Sequence, residues 1–592
     1  MKRTYVTLSA LAVLGVAAVA CSVTDTDLSD ETTATATPPA AREDKLAGLP
    51  VLPAPVAEPE QDMAEARAKM PAPRAQNTLA LADVAAASRV QQLGVVQPAD
   101  PSLHPHPGLR DEDRDRYEDV AANPVKLVSE EPVSTFSVDV DTASYANVRR
   151  FLKEGMLPPV DAVRVEELIN YFDYAYAPPD DAGQPFATHV ALFSSPWDSG
   201  KQLLRIGIKG YEIEADKRPP ANLVFLVDTS GSMDSPDKLP LLQRSLRLLV
   251  DQMRDEDRIA IVAYAGSAGV VLEPTSGAER ATILRAIEAF QAGGSTAGAE
   301  GIHQAYQLAE AEFDEAAINR VILATDGDFN VGVSDPDRLE DFIAAKRETG
   351  VYLSILGFGR GNLNDLLMQK LAQAGNGNAS YIDGLMEAQK VLVDEMGSTL
   401  FPIADDVKIQ IEFNPKNVAE YRLIGYETRM LRREDFNNDQ IDAGEIGSGH
   451  TVTALYEITP TDSPARLVDD LRYGVRPASL DKATDTGSDE VAWLRLRFKH
   501  PGEDKSELIE QPVSAAQAVA FEEAPEDARF ASAVAAFGQI LRQSAYVGSL
   551  DLDTVEDIAR AARGDDAFGY RHEFLQLLRL ARSAEAFDPG RG

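Results

Sequence analysis

One cysteine, two tryptophans and seven histidines occur among 592 residues. The lone cysteine, Cys21, excludes a disulfide framework and any thiolate metal cluster within the chain. His104 and His106, in "LHPHPG", stand among prolines and read as incidental rather than as metal ligands. Basic residues are also in deficit: 57 Lys and Arg against 95 Asp and Glu leave a formal charge of −38. Such a surface repels a phosphate backbone, and no basic stripe interleaved with aromatics offsets it, so nucleic acid is not an expected partner. Long apolar runs are missing too. Leu8 to Ala20 supplies roughly 13 such residues, short of the roughly 20 that cross a bilayer as a helix. Nor does the chain contain a Walker-type P-loop, an H-E-x-x-H or a G-x-S-x-G.

At the amino terminus, Lys2 and Arg3 precede that apolar run and small residues lead to Cys21, the layout of a secretory signal over residues 1–21. "AVAC" at 18–21 resembles a bacterial lipobox, with Ala18 where leucine is usual. The resemblance implies lipidation of Cys21, and several acyl chains on one residue hold a protein firmly to a membrane surface. Ser22 after the cysteine resembles the enteric sorting pattern for the outer rather than the inner membrane. The expected location is therefore exported, lipid-anchored in the bacterial cell envelope, on the periplasmic side.

Residues 22–115 are rich in Ala, Pro, Thr and acids and poor in aromatics, which reads as a disordered tether with a mean span on the order of 50 Å. Residues 116–219 read as a small α+β module: a strand in "TFSVDVDT", a helix capped by Asp141 or Thr142 and closed by Gly155, a short helix in "RVEELINYFDY", then two strands. Residues 220–400 change character. Apolar runs such as "NLVFLVD", "RIAIVAYA", "RVILATD" and "VYLSILGFG" alternate with amphipathic helical stretches, which predicts an α/β domain with a doubly wound, mainly parallel sheet. Residues 401–592 open with alternating, antiparallel-type strands, expected to form a small sandwich, and end in helices.

In "LVFLVDTSGSMD" a buried-type strand stops in Asp228, Ser230 and Ser232, three hard oxygen donors at alternate positions. Two further junctions carry matching donors, Thr296 before a helix in "GGSTAGAEGI" and Asp326 at the end of "VILATD". Ligands of an α/β sheet bind beyond the carboxyl ends of its strands, and five oxygen donors from three loops suit Mg²⁺, Mn²⁺ or Ca²⁺. Two other segments are read as loops. "DFNNDQIDAGEI" places Asp435, Asn437 and Asp439 like a calcium loop but has Gln440 for the turn glycine and Ile446 for the bidentate Glu. "GFGRGN" lacks the third glycine of a dinucleotide fingerprint.

The five donors resemble, in order and spacing, the metal-ion-dependent adhesion site (MIDAS) of the von Willebrand factor type A (vWA) family, Asp-x-Ser-x-Ser with a distant Thr and Asp. From the small module onward the chain is similar to the bacterial YfbK-type vWA lipoproteins. The resemblance implies a vWA/Rossmann-like fold, a divalent cation at Asp228, Ser230, Ser232, Thr296 and Asp326, and a protein partner whose Asp or Glu carboxylate completes the coordination. Two aspartates about 4 Å apart repel by roughly 4 kcal/mol at an effective dielectric near 20, so a metal-free site is expected to loosen or bind protons. The function expected is a non-enzymatic, metal-dependent, envelope-anchored protein-binding protein. Its alternatives are a metal-dependent envelope hydrolase and a structural protein that uses the metal only for stability.

Overall fold

The computed structural model describes residues 115–180, 183–214, 216–295, 298–327, 336–469 and 489–587. The expected leader, Cys21, the tether up to residue 114 and Thr296 lie outside these residues.

The first elements are β1 (Lys126–Leu127), β2 (Val133–Ser137), α1 (Ala143–Lys153), α2 (Val165–Asn170), β3 (Phe186–Ser194) and β4 (Gln202–Gly210). Thr142 occupies the cap position of α1 without a side-chain bond. The helix start is satisfied from elsewhere, because the Ser144 N–H donates to Glu167 Oε2 at 2.7 Å. Asp141 is drawn away to Ala379 N and Arg429 Nη2, each at 2.8 Å. Tertiary partners thus replace the local cap that the sequence suggests. Gly155, at φ +76°, ends the helix in a conformation that favours glycine.

Six strands follow: β5 (Ala221–Asp228), β6 (Arg258–Tyr264), β7 (Ala268–Ser276), β8 (Ile318–Thr325), β9 (Tyr352–Phe358) and β10 (Ala379–Ile382). They form one sheet in the order β10-β9-β8-β5-β6-β7, parallel except for the edge strand β7. The helices between them are α3 (Leu239–Gln252), α4 (Arg280–Glu288), α5 (Gly298–Ala311), α6 (Pro336–Arg347) and α7 (Asp365–Ala374). Alternate residues of β5 serve the two faces. Phe225 and Val227 pack with Leu242 and Leu246 of α3 and Ile283 of α4, while Val224 and Leu226 pack with Ile302 of α5 and, through the sheet, with Ile343 of α6. Burial on both sides explains why β5 reads as a continuous apolar run, each such side chain contributing roughly 1.5–3 kcal/mol relative to exposure. After β10, the short helices α8 (Leu385–Gln389) and α9 (Met396–Leu400) flank a π-helical stretch, Lys390–Asp394.

The remaining strands are β11 (Pro402–Phe413), β12 (Val418–Ile424), β13 (Gly444–Gly447), β14 (Thr451–Pro460), β15 (Glu490–Lys499), β16 (Ser506–Ser514) and β17 (Ala518–Val519), and the helices are α10 (Glu526–Leu541), α11 (Leu552–Ala561) and α12 (Tyr570–Phe587). Strands from before and after the parallel sheet interleave. One sheet runs β1-β12-β14-β4-β3-β17, and the other runs β13-β11-β15-β16 with β2 paired to β11. Their facing sides share an apolar core that includes Ile206, Ile409, Tyr456 and Leu494. The opposite side of the first sheet, with Leu203 and Leu455, is covered by α1, α2 and α10–α12.

One side chain ties these helices to the parallel-sheet unit. Arg149 on α1, 1% exposed, meets Glu387 of α8 at 2.6 Å, Glu573 of α12 at 3.1 Å and Asp383 beyond β10, and its Nη1 donates to Tyr171 Oη at 2.9 Å.

Candidate functional site

Strand order positions the site. From β5 the chain passes to β6 on one side and returns through α5 to β8 on the other, so the carboxyl ends of β5 and β8 border the point where the winding reverses. Asp228 is the last residue of β5 and Asp326 follows the last residue of β8; they are 0% and 1% exposed. Asp228 Oδ1 accepts the Ser230 N–H at 2.8 Å, and its Oδ2 accepts the Tyr264 hydroxyl at 3.1 Å. The Ser230 and Ser232 hydroxyl oxygens stand 3.0 Å apart in the turn that opens the loop. Four of the five expected donors, Asp228, Ser230, Ser232 and Asp326, thus converge at one sheet edge.

Thr296, the fifth, lies outside the described residues. The loop leading to it is nevertheless bonded to the β5 loop: the Gly293 N–H donates to Thr229 O at 2.9 Å and the Gly231 N–H to Gly294 O at 3.1 Å. Gly294, at φ +85°, sits where a Cβ would stand 3.1 Å from Gly266 N, so a side chain there would be strained.

Burial pushes the Asp228 carboxyl up to about 6, with the Asp326 charge adding to the rise and the bonds from Ser230 and Tyr264 opposing it. Asp326 has a partner that its sequence position does not suggest. Lys238, 6% exposed, places its Nζ 2.8 Å from Asp326 Oδ2. The lysine stem runs across Gly359, where a Cβ would stand 2.2 Å from Lys238 Cγ. That is a structural reason for the first half of "GFGRGN": a bare backbone lets the lysine reach the site. The expected repulsion between two aspartates is therefore offset in part by a built-in ammonium. Tyr264, at the end of β6, and Lys238 are site residues that the sequence reading missed; a tyrosine at a strand end and a lysine before a helix carry no distinguishing pattern.

Two carboxylates and two hydroxyls are all hard oxygen donors, and with the Lys238 charge they leave the site with a net charge of −1. That set fits a hard divalent cation rather than zinc or copper. Of the calcium-like segment, Asp439 is committed elsewhere: its Oδ1 accepts Ser506 Oγ at 2.6 Å and Arg497 Nε at 3.2 Å.

Stability should report the Asp228 charge directly. Its folded value of about 6 lies above the ordinary 3.8, so ionisation in the fold costs nothing below pH 3.8, and the cost grows to its full value above pH 6. Asp228→Asn, unfolded thermally in EDTA, should gain up to about 3 kcal/mol over wild type at pH 7.5 and nothing near pH 4. Equal stability at pH 7.5 would contradict the buried-anion account.

A six-stranded sheet in this order, with one antiparallel edge strand and acidic and hydroxyl side chains at the β5 and β8 exits, defines a von Willebrand factor type A domain protein. Three family descriptions match along the chain: "von Willebrand factor" over residues 111–205, "von Willebrand factor type A domain" over 222–394, and "Uncharacterized protein YfbK, C-terminal" over 398–584. The uncharacterized protein YfbK of Escherichia coli (strain K12) is 47% identical over 474 residues, covering 79% of this chain and 81% of that protein. The chain belongs to the YfbK family of vWA proteins. The uncharacterized protein sll0103 of Synechocystis is 30% identical over 190 residues, 32% of this chain and 44% of its own length. Among solved structures, a von Willebrand factor type A protein from Catenulispora acidiphila overlaps 69% of this chain and 91% of its own at 18% identity, with a TM-score of 0.38.

Proposed function

We propose that this protein is a metal-dependent binding protein of the bacterial cell envelope, not an enzyme, that captures a carboxylate of a protein partner at the β5–β8 sheet edge. The reading rests on one observation above others: Asp228, Ser230, Ser232 and Asp326 gather hard oxygen donors at the reversal point of the sheet. Thr296, two residues beyond the bonded Gly294, is proposed as the fifth donor. A divalent cation held there, Mg²⁺ or alternatively Mn²⁺ or Ca²⁺, would supply an open coordination position for an outside Asp or Glu oxygen. The chain's own residues do the rest. The Ser230 N–H and Tyr264 hydroxyl orient Asp228, and Lys238 holds Asp326 while offsetting its charge. Cys21, lipidated, is proposed as the anchor, and residues 22–115 as the tether that lets the folded part stand off the membrane.

Proximity labelling in cells expressing wild type or Asp228→Ala tests the proposal. A partner labelled by wild type should disappear from the Asp228→Ala set, and EDTA should release it from a pull-down of the full chain. Labelling and retention that survive both changes would refute metal-dependent capture.

A further inference from the structure

On the helix-covered face of the first antiparallel sheet lies a cleft of about 690 Å³, within the range of small-ligand sites. Its floor is aromatic. The Tyr176 ring lies flat over Gly207, where a Cβ would stand 2.6 Å from two of its ring atoms, and its hydroxyl is 2.8 Å from Thr453 Oγ1. Tyr176 stacks on His189 at 5.2 Å and on Tyr174 at 5.5 Å.

Arg205 of β4 lines this floor, its guanidinium 4.8 Å from the Tyr176 ring centroid. It is 5% exposed, its Nε has no hydrogen-bond partner, and among the described residues it forms no ion pair. Arg149, Arg150 and Arg429, buried to a similar degree, sit on carboxylates, and Arg320, 2% exposed, donates to Ser354 Oγ at 2.6 Å; the Arg205 guanidinium has neither kind of partner among the described residues. A buried guanidinium with no carboxylate within ion-pair distance among the described residues is costly unless a ligand brings one.

The rest of the lining has the opposite sign. Asp173, Glu526, Asp527, Asp565 and Asp566 line the cleft, against Arg205 and Arg571 as its only lysine or arginine side chains among the described residues. Arg571 is already engaged by Asp527 at 2.8 Å. Glu526 and Asp565 are exposed and without ion pairs among the described residues. Phe568, 58% exposed, adds an apolar ring beside them. Phosphate and other polyanions are repelled by such a rim; a single carboxylate accompanied by a cation is not.

We propose that this cleft binds a basic residue bearing a free α-carboxylate, with the carboxylate on Arg205, the aliphatic stem against Tyr176 and Phe568, and the side-chain cation between Glu526 and Asp565. The ligand is either a peptide ending in lysine or arginine or the free amino acid. The site is separate from the β5–β8 edge, and the proposal stands whether or not that edge binds metal.

Calorimetry on the full chain, with Ala-Ala-Lys, its C-terminal amide, Ala-Ala-Glu and free L-lysine as probes, tests it. Ala-Ala-Lys or L-lysine should bind, the tighter of the two identifying the source, and amidation should weaken the peptide roughly tenfold or more. Arg205→Gln should abolish the difference between acid and amide. Because that variant sits in the sheet, the exposed pair Glu526→Gln with Asp565→Asn gives an independent arm: roughly threefold weaker binding of the lysine ligands, steeper loss with salt in wild type than in the variant, and no change in melting. Equal affinity for acid and amide, preference for Ala-Ala-Glu, or no binding of any lysine probe at millimolar concentration would overturn the proposal.

Discussion

Arg149→Met should destabilise the folded chain by about 3–5 kcal/mol, among the largest effects expected of any single substitution in it. Methionine keeps the unbranched stem but ends at the position of Nε, so the change removes the charge and its hydrogen bonds and also leaves the space of the guanidinium unfilled. What remains are Glu387, 1% exposed, and Asp383 and Glu573, 10% and 11% exposed, without the guanidinium that joins them. Lys153 still reaches Glu573 at 2.9 Å, and Lys390 lies near Glu387, so the loss is partly buffered. Burial already raises the Glu387 carboxyl, and Arg149 opposes that rise; without the arginine it rises further. Acidification then protonates Glu387 in the variant and should shrink the deficit at about pH 5 compared with pH 8. Urea unfolding at both pH values measures the effect. A loss below about 1 kcal/mol at pH 8 would show that Arg149 does not couple α1, α8 and α12.

Lys238→Met should produce a loss of the same order, about 3–5 kcal/mol, in the metal-free protein, and this loss should be reversible by a divalent cation. Lys238 and Asp326 are buried together at 2.8 Å, so removing the ammonium takes the balancing charge from a carboxylate that is 1% exposed beside Asp228. A divalent ion at the proposed site would replace the missing charge. The melting shift produced by millimolar Mg²⁺, Mn²⁺ or Ca²⁺ should therefore be larger in Lys238→Met than in wild type, and absent from the Lys238→Met, Asp228→Ala double variant. Binding to the fold but not to the unfolded chain adds about 2.7 kcal/mol when the ion is a hundredfold above its Kd, enough to offset much of the deficit. A destabilised variant with no metal response would place Lys238 in the fold alone and remove support for a cation at this edge.

Much of the site was readable before the structure. Asp228 and Asp326 end apolar strands, and an acid at the end of a run buried on both faces has few structural reasons to be there. Ser230 and Ser232 follow at the spacing that brings both hydroxyls to one turn. Lys238 was not readable, because its meeting with Asp326 spans 88 residues and depends on Gly359, in a third segment, leaving room for its stem. The expected cap at Asp141 or Thr142 failed for a related reason. Propensity names a residue able to cap, but Asp141 finds Arg429 and the start of β10 instead.

The amino-acid order by itself determined the parallel sheet, its alternation with helices and the oxygen donors at its carboxyl edge, because those features follow from runs and spacings within one stretch of chain. The tertiary structure alone decided that β3 and β4 lie between β14 and β17, that β2 pairs with β11, and that Arg149 joins three elements. An alternating strand declares which face it buries, but its edge hydrogen bonds are the same for every partner, so pairing is settled only when distant segments compete for one core. Arg205 belongs to that second class: in sequence it is one more residue of a strand, and only packing shows that its guanidinium meets an aromatic ring but no ion-pair partner among the described residues.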